Sequence, residues 1–168
     1  MRPTVYLTGF MGTGKSVVGR ALAGRLRRPF VDLDAAIERA SGKSVAALFA
    51  ARGEKAFRKL ERSALARASK RRGAVVALGG GALLDARSLA LVERTGVLVE
   101  LSCSRRELVR RLRPTRASRP LLAGGGLEAK VAKLLRARQG AYGDADLVVS
   151  TTRRSSTAAA ALIARRLK

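Results

Sequence analysis

The segment Gly9-Phe10-Met11-Gly12-Thr13-Gly14-Lys15-Ser16 decides the fold. Its spacing is glycine, four residues, then Gly-Lys-Ser, the pattern of a loop that wraps phosphate groups. The run before it, Thr4-Val5-Tyr6-Leu7-Thr8, is short, β-branched and apolar, as a buried parallel strand requires. After it, Val18, Leu22 and Leu26 recur at helical spacing. Strand, glycine loop and helix in that order let backbone N–H groups converge on phosphate oxygens, with the positive end of the helix behind them. Gly12, Thr13, Gly14, Lys15, Ser16 and Val17 are therefore the expected nucleotide cradle. Lys15 is expected to reach the β and γ phosphates, and the Ser16 hydroxyl to ligate Mg2+.

The rest of the composition narrows the chemistry. A chain of 168 residues is expected to form one domain, long enough to bury about 70% of its unfolded surface without disulfides. It carries 35 Lys and Arg against 12 Asp and Glu, a net charge of +23, with 47% hydrophobic residues. That charge suits anionic ligands. It also suits nucleic acid, but the only aromatics are two tyrosines and four phenylalanines, and the arginines are spread over most predicted helices, so no specific nucleic-acid partner is expected. Histidine is absent, which leaves carboxylates, Lys15 and arginines for any proton or charge chemistry. Cys103 is the single cysteine and reads as a small buried or half-buried residue at a strand end. No apolar run approaches membrane length and the N-terminus enters the first strand directly, so a cytoplasmic protein with no membrane partner is expected.

Along the chain, Phe30-Val31-Asp32-Leu33-Asp34 reads as a second strand ending in two acids. Period-two geometry puts both acids on one side, near the carboxyl edge where open α/β sheets bind ligands. Two acids there need a cation, which makes Asp32 an outer Mg2+ ligand and leaves Asp34 to face a second substrate or to cap the next helix. Gly42 ends that helix and Ser44 starts a short one. Gly53 opens another, running to about Lys70, with a buried stripe of Phe57, Leu60, Ala64 and Ala68. Arg58 and Glu61 lie three apart and, taken alone, read as a solvated surface salt bridge; the alternative is that the carboxylate orients a guanidinium able to grip a small acid. Ala74 to Leu78 is a third strand running into Gly79-Gly80-Gly81, whose backbone cost implies a tight turn or a close approach. A helix from Ala86 to Arg94, a strand from Val97 to Leu101 and a helix from Arg105 to Arg111 follow. Residues 113–126, rich in proline, arginine and glycine, read as a mobile basic lid. Beyond it come a helix from Leu127 to about Gln139, a fifth strand from Ala145 to Ser150, and a last helix capped by Ser155 or Ser156. Five strands alternating with helices make an open parallel α/β sheet of the P-loop kind, three layers in one unit.

The combination resembles shikimate kinase. The likeness rests on the phosphate loop, Phe30-x-Asp32-x-Asp34 with Ile37-Glu38, Gly53-Glu54-x-x-Phe57-Arg58-x-x-Glu61, Gly79-Gly80-Gly81, Arg119-Pro120-Leu121-Leu122, and Arg138 four before Tyr142. It implies a five-stranded sheet in the order 2-3-1-4-5, and transfer of the γ-phosphate of ATP to the 3-hydroxyl of shikimate in aromatic amino-acid biosynthesis. It further implies that Arg58 and Arg138 clamp the substrate carboxylate, that residues 34–62 form the substrate-binding region, and that Asp34 with the backbone of Gly79, Gly80 and Gly81 holds the ring hydroxyls. Asp34 then accepts the proton of the attacking hydroxyl, while Lys15 and Arg119 stabilise the transferring phosphoryl group. The resemblance also implies an arginine beside adenine, Arg111, Arg113 or Arg116, of which Arg113 is the one expected, and a second contact from Arg153. A monomer is expected. The chain departs from the family pattern at Leu78, Val17 and Ser155. A kinase of another small hydroxy acid, or a basic ATPase associated with nucleic acid, are the alternative readings.

Overall fold

A computed structural model describes residues 2–140, 142 and 145–167 of the chain. Five strands, β1 (Thr4–Thr8), β2 (Phe30–Asp32), β3 (Val75–Ala77), β4 (Gly96–Ser102) and β5 (Leu147–Ser150), form one parallel sheet in the order β2-β3-β1-β4-β5. The helices are α1 (Lys15–Leu26), α2 (Leu33–Ser41), α3 (Val45–Ala68), α4 (Ala86–Thr95), α5 (Arg105–Leu112), α6 (Leu127–Ala137) and α7 (Ser156–Arg166). Parallel strands need crossover connections, and those helices cover both faces of the sheet, which is why β1 is buried along its whole length.

Alternation along β1 sorts the core into two layers. Val5 and Leu7 point into a cluster with Leu22, Val99 and Ile163, whereas Tyr6 points the other way into a cluster with Leu33, Phe57, Leu65 and Leu98. A third cluster under α5 and α6 holds Phe10, Leu108, Leu112, Leu122 and Val131. The chain leaves β1 toward β2 on one side and later fills β4 on the other, so the strand order reverses at the carboxyl end of β1. That crevice is where open α/β sheets bind ligands.

Several element ends differ from the expectations above. Strand β2 stops at Asp32 rather than Asp34, because the Asp32 side chain caps α2 by accepting the Ala35 N–H at 3.2 Å. The capping residue is thus Asp32, and Asp34 lies in the first helical turn. Val45–Ala68 runs as one element, but Gly53 is non-helical (φ 74°, ψ 172°), so two helical segments meet at a kink where the sequence pattern places a break. Leu60 in the expected stripe is only half-buried, while Phe57, Ala64 and Ala68 are buried. Residues 113–126 contain two 3-10 helices, Arg113–Ser118 and Pro120–Leu122, with Leu122 fully buried. Helix α6 ends at Ala137, which makes Arg138 its C-cap (φ −105°, ψ 7°). Ser155 caps α7.

Candidate active site

The loop after β1 curls because Gly12 (φ 82°) and Gly14 (φ 96°) adopt a left-handed backbone that side-chain-bearing residues rarely tolerate. Gly14 precedes α1 without a side-chain cap, so the first N–H groups of that helix remain available to an anion. Lys15 folds back over the loop, donating to the carbonyls of Gly9 at 2.8 Å and Phe10 at 3.0 Å. Burial lowers its pKa to about 8, against the opposing pull of Asp34. From outside, Thr151 Oγ1 donates to the Thr13 carbonyl at 2.9 Å, and Arg111 donates to the carbonyls of Gly12 and Thr151 at 3.3 and 2.7 Å.

Ser16 Oγ and Asp32 Oδ2 stand 2.5 Å apart at the first turn of α1. Among the described residues no group of three or more His, Cys, Asp or Glu side chains could enclose a metal. One hydroxyl and one carboxylate beside a phosphate cradle nevertheless fit Mg2+, which keeps several waters and takes its remaining ligands from phosphates.

Asp34 is close to Asp32. Burial and that like charge raise its pKa, with Lys15 pulling the other way. Opposite it, on α3, Arg58 donates to Glu61 at 2.6 Å and to Glu54 at 2.9 Å, with its guanidinium over the rings of Phe57 and Phe49. The Glu61 side chain is 3% exposed, so this is no solvated surface pair. Burial raises the Glu61 pKa against the pull of Arg58, and its second oxygen, Oε1, has no hydrogen-bond partner.

The glycine triplet is explained by what approaches it. A Cβ on Gly79 would collide with Glu61 Oε1, one on Gly81 would lie 2.5 Å from Arg58 Nη2, and one on Gly80 would lie 3.2 Å from Arg138 Nη1. Arg138, 5% exposed, donates to the Gly80 carbonyl at 2.8 Å and stacks over Phe10 at 5.6 Å. The triplet therefore brings together two arginines and a carboxylate from α3 and the end of α6, a convergence that helical spacing could not reveal.

Two cavities meet here. One of about 270 Å³ is walled by Asp34, Arg58, Glu61, Phe49, Phe57, Arg138 and the glycine triplet, and covered by Ser118, Arg119, Pro120 and Leu121. The other, about 280 Å³, is walled by the phosphate loop, Lys15, Ser16, Val17, Asp32 and Leu78. Met11, Asp34, Gly80 and Arg119 line both. Burial lowers the pKa of Arg119, and Asp34 opposes that shift. A small anion in the first cavity and a phosphate chain in the second would meet between a carboxylate and a guanidinium. That is an arrangement for group transfer between two bound molecules.

Against known proteins, the family model for shikimate kinase matches residues 11–168. The chain belongs to the shikimate kinase family. Shikimate kinase of Geobacter sulfurreducens is 44% identical over 151 residues, covering 90% of this chain and 83% of that protein. That of Desulforudis audaxviator is 43% identical over 164 residues, covering 98% and 86%. The solved shikimate kinase of Acinetobacter baumannii in complex with shikimate superposes with a TM-score of 0.95 at 33% identity, over 99% of this chain and 93% of that one. A gluconokinase from Sinorhizobium meliloti, at 17% identity and a TM-score of 0.54, shares the fold. This member of the shikimate kinase family is an ATP-dependent phosphotransferase.

The remaining residues that the sequence pointed to lie around that core of the site. Val17 is exposed, Leu78 is buried under the glycine triplet, and Cys103 is half-buried at the end of β4. Arg113 is largely exposed, 4.0 Å from Glu128, and with Arg153 it lines a separate outer cleft between α5 and the loop after β5. Arg116 donates to the carbonyls of Leu122 and Gly124 at 3.0 and 2.8 Å. Thr151 and Phe49 carry no motif of their own; only the fold brings Thr151 to the phosphate loop and Phe49 to the cavity wall.

Proposed function

We propose that this chain transfers the γ-phosphate of ATP to the 3-hydroxyl of shikimate, giving shikimate 3-phosphate and ADP. The observation that carries the reading is the shared wall: Asp34 and Arg119 line both the acid-sized cavity and the phosphate cavity. Support also comes from the Acinetobacter baumannii relative, solved with shikimate, and its likeness over nearly the whole chain.

The proposed roles follow from charge and reach. Arg58, held by Glu54 and Glu61, and Arg138, held by Gly80, clamp the substrate carboxylate with parallel charge-assisted bonds. Asp34 and the backbone of the glycine triplet hold the ring hydroxyls. The 3-hydroxyl oxygen bonds to the γ-phosphorus as the bond from that phosphorus to the β–γ bridging oxygen breaks, and the hydroxyl proton passes to Asp34. Burial and Asp32 favour proton acceptance by Asp34, and histidine is absent from the chain. Lys15 and Arg119 take up charge on the equatorial oxygens, where phosphoryl transfer needs it. Ser16 and Asp32 would hold Mg2+, which would supply charge neutralisation and alignment of the phosphates. Arg111, Arg113 and Arg153 border the adenine end. Residues 113–126 form the cover of a single domain, closing Arg119 over both ligands and excluding water. The working unit in this reading is a monomer acting in the cytoplasm.

The test is Mg2+-dependent ADP release from ATP with and without shikimate. Release that requires shikimate supports the assignment, and release unchanged by shikimate, or equal with gluconate, overturns it.

A further inference from the structure

The chain carries a charge of +23, far more than a site for two small anions needs, and the fold gathers part of it in one place. In a parallel sheet every strand is entered at one edge and left at the other, and the site occupies the exit edge. At the entry edge, Arg2 precedes β1, Arg27 precedes β2, Lys70 and Arg71 precede β3, Arg94 precedes β4, and Arg165 lies in the last turn of α7; all six are exposed. Strand register makes these turns neighbours. Thr4 pairs with Gly96 and Phe30 with Val75, and Gly73 lies against the backbone and Cβ of Arg2. Strands spaced about 4.8 Å apart put the four entry turns within about 15 Å.

Arg28 is held to the Pro3 carbonyl at 3.0 Å, and burial and the like charge of Arg2 lower its pKa, so cations there face cations. The acids at that edge among the described residues are Glu93 and Asp146, and Asp146 already accepts the Leu98 N–H at 2.8 Å. Arginine at the C-terminal turns of α4 and α7 also offsets the helix dipole, but Arg2, Arg27, Lys70 and Arg71 lie outside helices.

We propose that this entry edge is a docking surface for the phosphate backbone of duplex DNA, bound without sequence readout while the catalytic cleft on the opposite edge stays open. Arginine dominates the edge, and its planar fork matches phosphate geometry. Single-stranded nucleic acid is usually gripped by exposed aromatic platforms, and none of the aromatic side chains is exposed among the described residues. A lipid surface is disfavoured because the large hydrophobics exposed among the described residues, Val17, Leu84 and Val148, lie on other parts of the molecule. About 15 Å of duplex carries on the order of nine phosphate charges over its two strands, comparable in number to these cations.

The probe is a fluorescently labelled duplex of generic sequence, titrated with the full-length protein across 50–200 mM salt. The edge variant carries R2Q, R71Q, R94Q and R165Q. A charge-matched control carries K55Q, K59Q, K133Q and R136Q, all exposed and on other elements. Wild type is expected to bind with a dissociation constant of about 10⁻⁴–10⁻⁶ M near physiological salt, as sequence-independent duplex binders do. The edge variant is expected to lose about 3 to 4 from the slope of log affinity against log salt, from four phosphate contacts at about 0.9 each. The control is expected to lose little, and the ATP affinity of both variants to stay unchanged. Equal loss in both variants would mean that net charge alone attracts the duplex and would overturn the proposal. Displacement of the duplex by ATP with Mg2+ would do the same by putting binding in the cleft, as would edge-dependent binding to anionic vesicles with none to the duplex.

Discussion

Replacing Gly81 by alanine adds one methyl group against the Arg58 guanidinium and changes nothing else by design. Gly81 has φ −125° and ψ 9°, a backbone open to alanine, so the effect is steric rather than conformational. The new Cβ would lie 2.5 Å from Nη2, 2.7 Å from Cζ and 2.8 Å from Nη1, where ordinary contact begins near 3.4 Å. The guanidinium must retreat by about 0.9 Å, the difference between 3.4 and 2.5, and a misplacement near 1 Å can cost up to about 100-fold. It cannot retreat freely, since Glu61 at 2.6 Å, Glu54 at 2.9 Å and the rings of Phe49 and Phe57 hold it. Losing the alignment of one charge-assisted contact is worth about 1.5–3 kcal/mol, or roughly 10- to 100-fold. The expected result for Gly81→Ala is therefore a rise of about 10- to 100-fold in KM for shikimate, with KM for ATP within about twofold. Steady-state ADP release, varying each substrate in turn, measures both. The double variant with Arg58→Ala should be no worse than Arg58→Ala alone if the methyl acts only through that side chain. An unchanged KM for shikimate in Gly81→Ala, or full additivity in the double variant, would refute the assignment of Arg58 to the carboxylate.

Three further outcomes follow from the same geometry. Asp34→Asn keeps the shape but removes the proton acceptor, so kcat should fall about 10²- to 10⁴-fold in single-turnover phosphoryl transfer, and near-normal turnover would exclude Asp34 as the base. Lys15, with a pKa of about 8 in the free protein, is partly neutral at pH 8; phosphates raise that pKa, so ATP binding should take up a proton there and weaken as pH rises through 8. Calorimetry at pH 8 in two buffers of different ionisation heat reads the uptake directly, and identical heats would exclude the linkage. Ser16→Ala removes the hydroxyl that faces Asp32 and should raise the Mg2+ concentration for half-maximal ADP release by about tenfold, the lower end of what altering a metal's ligand surroundings costs. An unchanged Mg2+ requirement would place the ion elsewhere.

The local parts of this protein were legible in its sequence because they depend on short-range rules. Glycine at positions 12 and 14 and the Lys15-Ser16 pair specify the phosphate loop wherever a strand precedes and a helix follows. The period-two and 3.6-residue patterns specify five strands and their helices, and the Arg58–Glu61 spacing specifies an ion pair. The motif combination carried the family and, with it, the strand order that the structure bears out.

Long-range packing decided the rest. Capping competition made Asp32 end β2 and moved Asp34 from a strand edge into a helical turn, a balance of a few tenths to about 2 kcal/mol that no pattern resolves. Whether Arg58–Glu61 is a surface pair or a buried one depended on what α3 packs against, and only the sheet placed the glycine triplet against it. The two cavities and the wall of Asp34 and Arg119 between them arise from segments far apart in the chain, joined by the reversal of strand order beside β1. Sequence spacing fixes neighbours within a turn or a strand; which distant side chains share a wall is set by how the layers pack.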